Sequence, residues 1–163
     1  VPGKGYVVCK CKNKKIAVIN LIGRTEMGIA TENPFIIGKK IAEELKKEVD
    51  IIVVDFHAEA TAEKIAMGNY LDGIATIVYG THTHVQTADD RILPEGTAYI
   101  TDIGMTGPKN SVIGMDINAS LKRFVTTLPE RYKMATGECI FNGCIFDIDD
   151  ETCQVNKITR IYL

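Results

Sequence analysis

Two stretches of this 163-residue chain decide its fold: residues 51–57 read IIVVDFH, and residues 74–84 read IATIVYGTHTH. Each begins with a continuous apolar run, which is typical of a strand buried on both faces of a parallel sheet. Apolar residues at helical spacing precede these runs, over residues 34–49 and 61–71, and predict two amphipathic helices. Buried strands that alternate with helices indicate an α/β domain.

Shorter elements surround this unit. Alternating apolar and polar residues predict two hairpins, and weaker patterns predict a loop, a strand and a helix. These elements span residues 6–12 and 16–21 for the first hairpin, 23–33 for the loop, 97–101 for the strand, 117–127 for the helix, and 139–148 and 153–162 for the second hairpin. No repeat or long linker interrupts the chain, so we expect a single α/β domain with mixed sheets over residues 1–163.

The composition excludes several classes of protein. The chain has 19 basic and 21 acidic side chains and a net charge of -2. This balance gives no electrostatic footprint for a nucleic acid polymer or an anionic membrane. No apolar run approaches the roughly 20 residues of a membrane span, and the first residues do not read as a signal peptide. The sequence therefore predicts a cytoplasmic protein that binds neither nucleic acid polymers nor membranes.

Five cysteines are present, with no C-x-x-C pair among them. An odd number of cysteines in a chain of this length predicts reduced thiols that pack as small apolar side chains. One alternative is a structural zinc site that combines Cys9, Cys11 and a histidine.

All three histidines of the chain follow a predicted buried strand. His57 ends the first strand, and His82 and His84 come directly after the second. Because the carboxyl ends of parallel strands meet at one edge of a sheet, we expect the three imidazoles to converge there. Mixed sets of imidazole and carboxylate ligands suit Zn, Mn or Fe. The oxygen-bearing neighbours expected at this edge are Asp55, Glu59 and Asp102.

A single histidine at a strand end is more often a hydrogen-bonded polar residue than a metal ligand. Because every histidine of this chain occupies such a position, the metal site is the favoured interpretation.

Arg91, beside Asp89 and Asp90, is a weaker candidate for contact with a substrate, and an exposed ion-pair cluster is the simpler interpretation. The chain contains no P-loop, dinucleotide-binding or nucleophile-elbow motif.

Two motifs carry a resemblance to a known family: residues 55–64 read DFHAEATAEK, and residues 80–89 read GTHTHVQTAD. The chain resembles the calcineurin-like metallophosphoesterases and, within them, the bacterial YmdB-like 2′,3′-cyclic-nucleotide 2′-phosphodiesterases. Further matching stretches are INLIGR (residues 19–24), RILP (91–94), AYITDIGMTGP (98–108), SVIGMD (111–116) and LPERY (128–132). The resemblance covers nearly the whole chain.

The resemblance implies a fold, a site and a reaction. The fold would be part of a four-layer α/β/β/α sandwich of the metallo-dependent phosphatase type. His57 and His82 would bind one divalent metal ion and His84 a second, the ions being Fe, Mn or Zn. From their positions in the sequence, and not from the resemblance, Asp55, Glu59, Arg91 and Asp102 are candidates for orienting these ligands or contacting the substrate. The implied reaction is hydrolysis of a small phosphodiester, a 2′,3′-cyclic nucleotide, in which two cations neutralise charge on the phosphoryl oxygens.

The chain departs from the family pattern in one respect. In the family, an N-terminal part supplies an early Asp, a bridging Glu and a Gly-Asn-His segment whose His assists catalysis. The 163 residues contain no Gly-Asn-His and no fourth histidine. We therefore expect this chain to be the C-terminal portion of a metallophosphoesterase domain, without a catalytic acid of its own, and to have the missing N-terminal portion as its partner.

Three imidazoles without a bridging carboxylate leave two divalent cations with too few ligands. We therefore expect the isolated chain to bind metal weakly and to be inactive. An apolar face left uncovered would favour a partner, a homo-oligomer or aggregation. The alternative function is a non-catalytic interaction or regulatory module that keeps the fold and a vestigial metal site.

Overall fold

The computed structural model of the chain describes residues 3–28 and 31–163. The predicted loop over residues 23–33 therefore lies only partly within the described residues. In chain order the described elements are β1 (Tyr6–Cys11), β2 (Lys14–Ile22), α1 (Pro34–Leu45), β3 (Ile51–His57), α2 (Thr61–Tyr70), β4 (Ile77–Thr81), β5 (Arg91–Ile92), β6 (Ala98–Ile100), β7 (Gly107–Pro108), α3 (Ile117–Thr126), β8 (Cys139–Ile140), β9 (Asn142–Ile148) and β10 (Val155–Tyr162).

Six of these strands form one mixed sheet in the order β1-β2-β3-β4-β6-β5. The four central strands are parallel to one another, and the edge strands β1 and β5 are antiparallel to their neighbours. Parallel strands need a crossover connection, and α1 and α2 provide it between β2 and β3 and between β3 and β4. The α/β class with a mixed sheet is thus confirmed.

One face of this sheet packs against α1 and α2. Ile52, Val54 and Phe56 alternate along β3 and share one buried cluster with Ala42 of α1 and Met67 of α2. The alternation follows from the two-residue repeat of a strand, which turns every second side chain to the same face. The helix-covered face is therefore the main hydrophobic core.

The other face packs against the hairpin of β9 and β10, which forms a separate two-stranded sheet. Ile77 of β4, Ala98 of β6 and Val155 of β10 form a second buried cluster, and Tyr79 and Phe146 pack on it. The described residues therefore build a helix layer, a six-stranded sheet and a second sheet. His57, an odd-numbered residue of β3, lies on the side of the second sheet.

Three predicted boundaries were wrong by several residues. The strand predicted over residues 139–148 is divided, because β8 pairs with β7 and only β9 forms the hairpin with β10. The predicted helix over residues 34–49 ends at Leu45, because Lys47 and Glu48 donate to the carbonyls of Glu44 and Leu45 in tighter turns. The predicted strand over residues 74–79 begins only at Ile77. The amides of residues 74 and 75 both donate to Leu71 O and extend the turn after α2 instead.

α3 differs from the other two helices in its exposure. Asp116 caps it by accepting from the amide of Ala119, and Thr127 ends it in a left-handed conformation. Its apolar side is uncovered: Phe124 is 73% exposed and Val125 is 80% exposed. None of the described helices is both long and apolar enough to span a bilayer.

Candidate metal centre

The ends of β3 and β4 bring two histidines into contact. The strands are parallel and their register pairs His57 with Thr81, so His82 follows one residue beyond. The rings of His57 and His82 have centroids 4.8 Å apart and are nearly perpendicular. Together with His84 they line one open cavity of about 360 Å³, bounded on its other side by residues 104–108.

A chain of hydrogen bonds determines which ring nitrogen of His57 carries the proton. Thr81 Oγ1 donates its proton to Asp55 Oδ1 over 2.9 Å. The hydroxyl oxygen must then accept from Nδ1 of His57, 3.0 Å away. Asp55 Oδ2 is occupied in turn by Asn20 Nδ2 at 3.0 Å. Nε2 of His57 therefore keeps a free lone pair, which is the state in which an imidazole binds a metal ion.

The surroundings of His57 favour this neutral form. Burial and then the ring of His82 lower the pKa of His57 below its ordinary value, against a smaller opposing effect of the Asp55 carboxylate. Burial acts this way because it disfavours the charged imidazolium.

His82 lies between Glu59 and His57. Its Nε2 is 3.0 Å from Glu59 Oε2, which only accepts, so this nitrogen carries a proton. Its Nδ1 is 3.0 Å from Nε2 of His57. With both rings neutral, these two nitrogens turn lone pairs toward each other, which is repulsive. A metal ion bound by both nitrogens would remove this repulsion, so the geometry of the pair is suited to a cation.

His84 is oriented by a backbone group. Its Nδ1 lies 2.9 Å from the carbonyl oxygen of Ile113, so Nδ1 donates and Nε2 keeps its lone pair. Each of the three imidazoles therefore has one nitrogen bonded to an oxygen acceptor and the other without a proton. Metal-binding histidines in proteins are usually oriented by hydrogen bonds of this kind.

Asp102 lies beneath the turn that carries His82 and His84. The side chain is fully buried, and its Oδ2 accepts from Lys64 Nζ at 2.7 Å and from the amide of Thr83 at 3.0 Å. Burial by itself would raise the pKa of Asp102, but the hydrogen bonds from Lys64 and Thr83 outweigh burial and hold the pKa below its ordinary value. Asp102 supports the turn and is not among the described residues that line the cavity.

Arg91 lies away from the histidines. It is exposed on β5, with its guanidinium 6.0 Å from the centre of the Tyr99 ring. Among the described residues that line the histidine cavity, Arg91 does not appear. Its neighbour Asp90 pairs with Arg160 at 2.7 Å. The ion-pair cluster of Asp89, Asp90 and Arg91 was therefore a wrong prediction for the described residues, since Asp90 pairs with Arg160 and Asp89 accepts from Thr87 and Thr101.

The thiols do not assemble with the histidines. Cys9 and Cys11 are exposed on the edge strand β1. Within the part of the chain that the structure describes, no group of three or more histidine, cysteine, aspartate or glutamate side chains is arranged to hold a metal ion. The structural zinc alternative therefore finds no support in the described residues.

The donors at the cavity fit a divalent metal ion in kind but not in number. Imidazole nitrogens with free lone pairs suit Mn, Fe and Zn. The described residues provide no complete ligand set for even one ion. A centre of two ions would need further ligands.

Sequence reasoning missed two residues that support this site, Thr81 and Lys64. Thr81 stands inside the GTHTH motif, but its bond to Asp55 depends on the register between β3 and β4. Lys64 lies in a helical pattern, where a lysine is usually exposed. No local signal in the sequence marks either contact.

Comparisons with known proteins agree with this fold. The family model for YmdB-like proteins matches residues 1–161. The chain is 51% identical over 162 residues to the 2′,3′-cyclic-nucleotide 2′-phosphodiesterase of Bacillus subtilis (strain 168), and the match covers 99% of this chain and 61% of that protein.

Two crystal structures have the same fold. A hypothetical protein from Thermus thermophilus superposes with a TM-score of 0.93 at 36% identity, over 100% of this chain and 63% of that one. A novel phosphatase from Mycoplasma pneumoniae superposes with a TM-score of 0.91 at 40% identity, over 99% of this chain and 57% of that one. The chain thus spans about three-fifths of the length of these relatives. By family model, sequence identity and fold, the chain belongs to the family of YmdB-like proteins.

Proposed function

We propose that this chain provides the histidine half of a two-metal site in a phosphodiesterase that hydrolyses a small phosphodiester, such as a 2′,3′-cyclic nucleotide. The observation that carries the proposal is the set of three imidazoles at one cavity, each held by an oxygen acceptor at one nitrogen. The substrate class is supported by the Bacillus subtilis relative, whose name states that activity.

In this proposal His57 and His82 hold one divalent ion, and His84 holds a second. The ions are Fe, Mn or Zn, since imidazole accepts all three. When bound, they stabilise the negative charge that develops on the phosphoryl oxygens during hydrolysis. Asp55, acting through Thr81, keeps the proton of His57 on Nδ1.

Glu59 and Asp102 have different roles in the proposal. Glu59 accepts a hydrogen bond from Nε2 of His82. This keeps the ring proton on Nε2 and leaves Nδ1 free to bind the metal ion. Asp102 acts from beneath the turn, through Thr83. Arg91 lies away from the cavity, so we propose no role for it in orienting the metal ligands or contacting the substrate.

The remaining ligands and the catalytic acid are proposed to come from a portion of protein outside this chain. Neutral imidazoles do not compensate the charge of two divalent cations, and the described residues provide no complete ligand set. The Bacillus subtilis relative is longer by the portion that this chain does not cover. We infer that an equivalent portion completes the site, that the 163 residues alone are inactive, and that the enzyme is cytoplasmic.

A fusion tests this proposal. Residues 1–163 are joined behind the portion of the Bacillus subtilis relative that they do not match, and the product is purified without chelators. We expect about two metal ions per fusion by elemental analysis and hydrolysis of 2′,3′-cyclic AMP. His82→Ala should remove the turnover, and Thr97→Val, a change far from the cavity, should leave it intact.

Two outcomes would contradict the proposal. Turnover by residues 1–163 alone, lost in His82→Ala, would show that the chain does not need the additional portion. A folded fusion that binds no metal would favour a non-catalytic interaction or regulatory module with the same fold.

A further inference from the structure

The backbone around the histidines is strained on both sides of Thr83. His82 has a φ of 106° and His84 has a φ of 66°. Side chains other than glycine rarely adopt positive φ, and β-carbon crowding makes the conformation costly. Such a conformation persists only where the surrounding contacts hold it in place. The contacts of Thr83, the residue between the two histidines, are therefore the ones that can hold this backbone conformation in place.

Thr83 is bound to a single buried carboxylate oxygen through both of its donors. Its amide donates to Asp102 Oδ2 over 3.0 Å, and its hydroxyl donates to the same oxygen over 2.7 Å. The second oxygen, Oδ1, accepts from the amide of Gly104 over 2.9 Å. Asp102 thus ties the His82–His84 turn to the loop after β6.

A buried lysine completes this arrangement. Lys64 of α2 is 1% exposed, and its Nζ donates to Asp102 Oδ2 over 2.7 Å. The lysine reaches Asp102 across Gly80, where a β-carbon would come within 2.8 Å of Lys64 Cδ. Removing two charges from water is expensive, and well-packed apolar residues often serve stability equally well. The proposed hydrolysis makes no direct use of this ion pair.

We propose that Lys64 and Asp102 are positioning residues: the buried ion pair holds Thr83, and Thr83 holds His82 and His84 in the strained backbone that turns their rings to the cavity. This inference rests on the proposed function, because it treats the two histidines as metal ligands. The ion pair fixes the conformation of the His82–His84 turn before a metal ion binds, so binding does not have to fix it. Oriented ligands bind a metal ion more tightly because less entropy is lost on binding.

Thr83→Val tests the proposal without leaving a charge unpaired. The substitution removes one hydrogen bond to Asp102 and keeps the amide bond and the Lys64 pair. Thr97→Val is the control, because it also removes a threonine hydroxyl that donates a hydrogen bond, here to Ala75 O over 2.6 Å, far from the histidines. Both variants are compared with the wild type within the fusion described above, by Mn²⁺ titration and, without metal, by ¹⁵N NMR of the histidine rings and of the backbone over residues 82–84.

We expect Thr83→Val to weaken Mn²⁺ binding about tenfold or more, as changes around metal ligands commonly do. Without metal, the ring and backbone signals of His82 and His84 should broaden or move, and the ring signals of His57 should follow those of His82, because the two rings are in contact. Thr97→Val should leave the affinity and all three sets of signals unchanged.

The two proposals fail in different ways. If the folded Thr83→Val variant keeps both the wild-type affinity and the wild-type signals, the positioning role is wrong. If instead the wild-type fusion binds no Mn²⁺, the proposed metal site is wrong, whatever the NMR signals show. A Lys64→Met variant that folds with an unchanged His82–His84 turn would also overturn the positioning role, because it removes the ion pair itself.

Discussion

Lys64 Nζ lies 2.7 Å from Asp102 Oδ2, and both side chains are almost completely buried. This pair joins α2 to the loop after β6 across 38 residues of sequence. Removing one member leaves the other charge buried without its partner, so we expect Lys64→Met to lower the free energy of unfolding by about 3–5 kcal/mol. Urea denaturation measures this loss.

A double variant is the control for the charge effect. Lys64→Met combined with Asp102→Asn removes both charges, and it should recover part of the loss caused by Lys64→Met alone. If the double variant is destabilised by the sum of the two single changes, the two side chains are not energetically coupled.

The stability of the protein should fall in acid because of Asp102 and Asp89. Burial opposes ionisation of both, but hydrogen bonds outweigh it and hold the pKa of each below the ordinary 3.8. For Asp102 these bonds come first from Lys64, and for Asp89 first from Thr101. A lowered folded-state pKa means that the ionised form stabilises the fold, so the contribution is complete above the unfolded pKa and lost as the pH falls through the folded one.

Urea denaturation at pH values between 3 and 7 measures how the free energy of unfolding depends on pH and so tests the direction of this effect. The difference in free energy of unfolding between the wild type and Asp102→Asn should be constant near neutrality and should shrink as the pH falls below about 4. Asp89→Asn should behave in the same direction. A difference that grows toward acid would mean that the pKa of the folded carboxyl is raised.

Gly80 is required by the close approach of β4 to Thr101. A β-carbon at this position would overlap the carbonyl oxygen of Thr101 and crowd the Lys64 side chain. Since the backbone carbonyl cannot rotate away as a side chain can, we expect Gly80→Ala to cost about 3 kcal/mol, the upper part of the range for overpacking. Thermal unfolding measures the loss. Gly107→Ala is the control, because a β-carbon there meets only Met105 at ordinary contact distances of 3.6 Å or more; an equal loss in both variants would contradict the argument.

Thr81 should determine the tautomer of His57. Thr81→Val removes the hydroxyl that accepts from Nδ1 and donates to Asp55, so the ring proton is no longer confined to Nδ1. In the metal-free protein, ¹⁵N NMR should change from one tautomer of His57 to a mixture of two. Mn²⁺ affinity should fall by about 10–100-fold. A single unchanged tautomer in Thr81→Val would show that another contact orients the ring.

The apolar side of α3 should promote self-association of the chain. Phe124 and Val125 are largely exposed, and Leu121 and Leu128 are more than half exposed beside them. Large uncovered apolar patches are associated with binding or aggregation. We expect light scattering to show association of the 163-residue chain that rises with concentration and falls in Phe124→Glu/Val125→Glu. The homo-oligomer expected from the sequence stays a prediction, and a wild-type chain that remains monomeric at high concentration would contradict it.

The sequence was sufficient for the secondary structure of the central sheet and for the edge at which the histidines meet. Apolar periodicity is a local property, so the IIVVDFH and IATIVYGTHTH stretches predict the strands that are observed as β3 and β4. The ends of the helices and strands were predicted less accurately than their positions. Whether residues 74–76 continue a turn or join a strand depends on where their amides donate. Those of Ile74 and Ala75 donate to Leu71 O and that of Thr76 donates to Ile52 O of β3, which periodicity does not encode.

The resemblance to a family also came from the sequence, and the family membership was confirmed. The roles of His57, His82 and His84 as metal ligands remain predictions. The structure adds the hydrogen bonds that make these roles chemically reasonable, one acceptor for each ring.

Only the tertiary structure decided which side chains support the histidines. The sequence offered both Asp102 and, as a weaker candidate, Arg91. The structure buries Asp102 beneath the histidine turn and leaves Arg91 exposed at the sheet edge. Lys64 carried no sequence signal at all. The physical reason is distance along the chain: Lys64 meets Asp102 across 38 residues and Thr81 meets Asp55 across 26, so these bonds exist only once the strands have paired and the helices have packed.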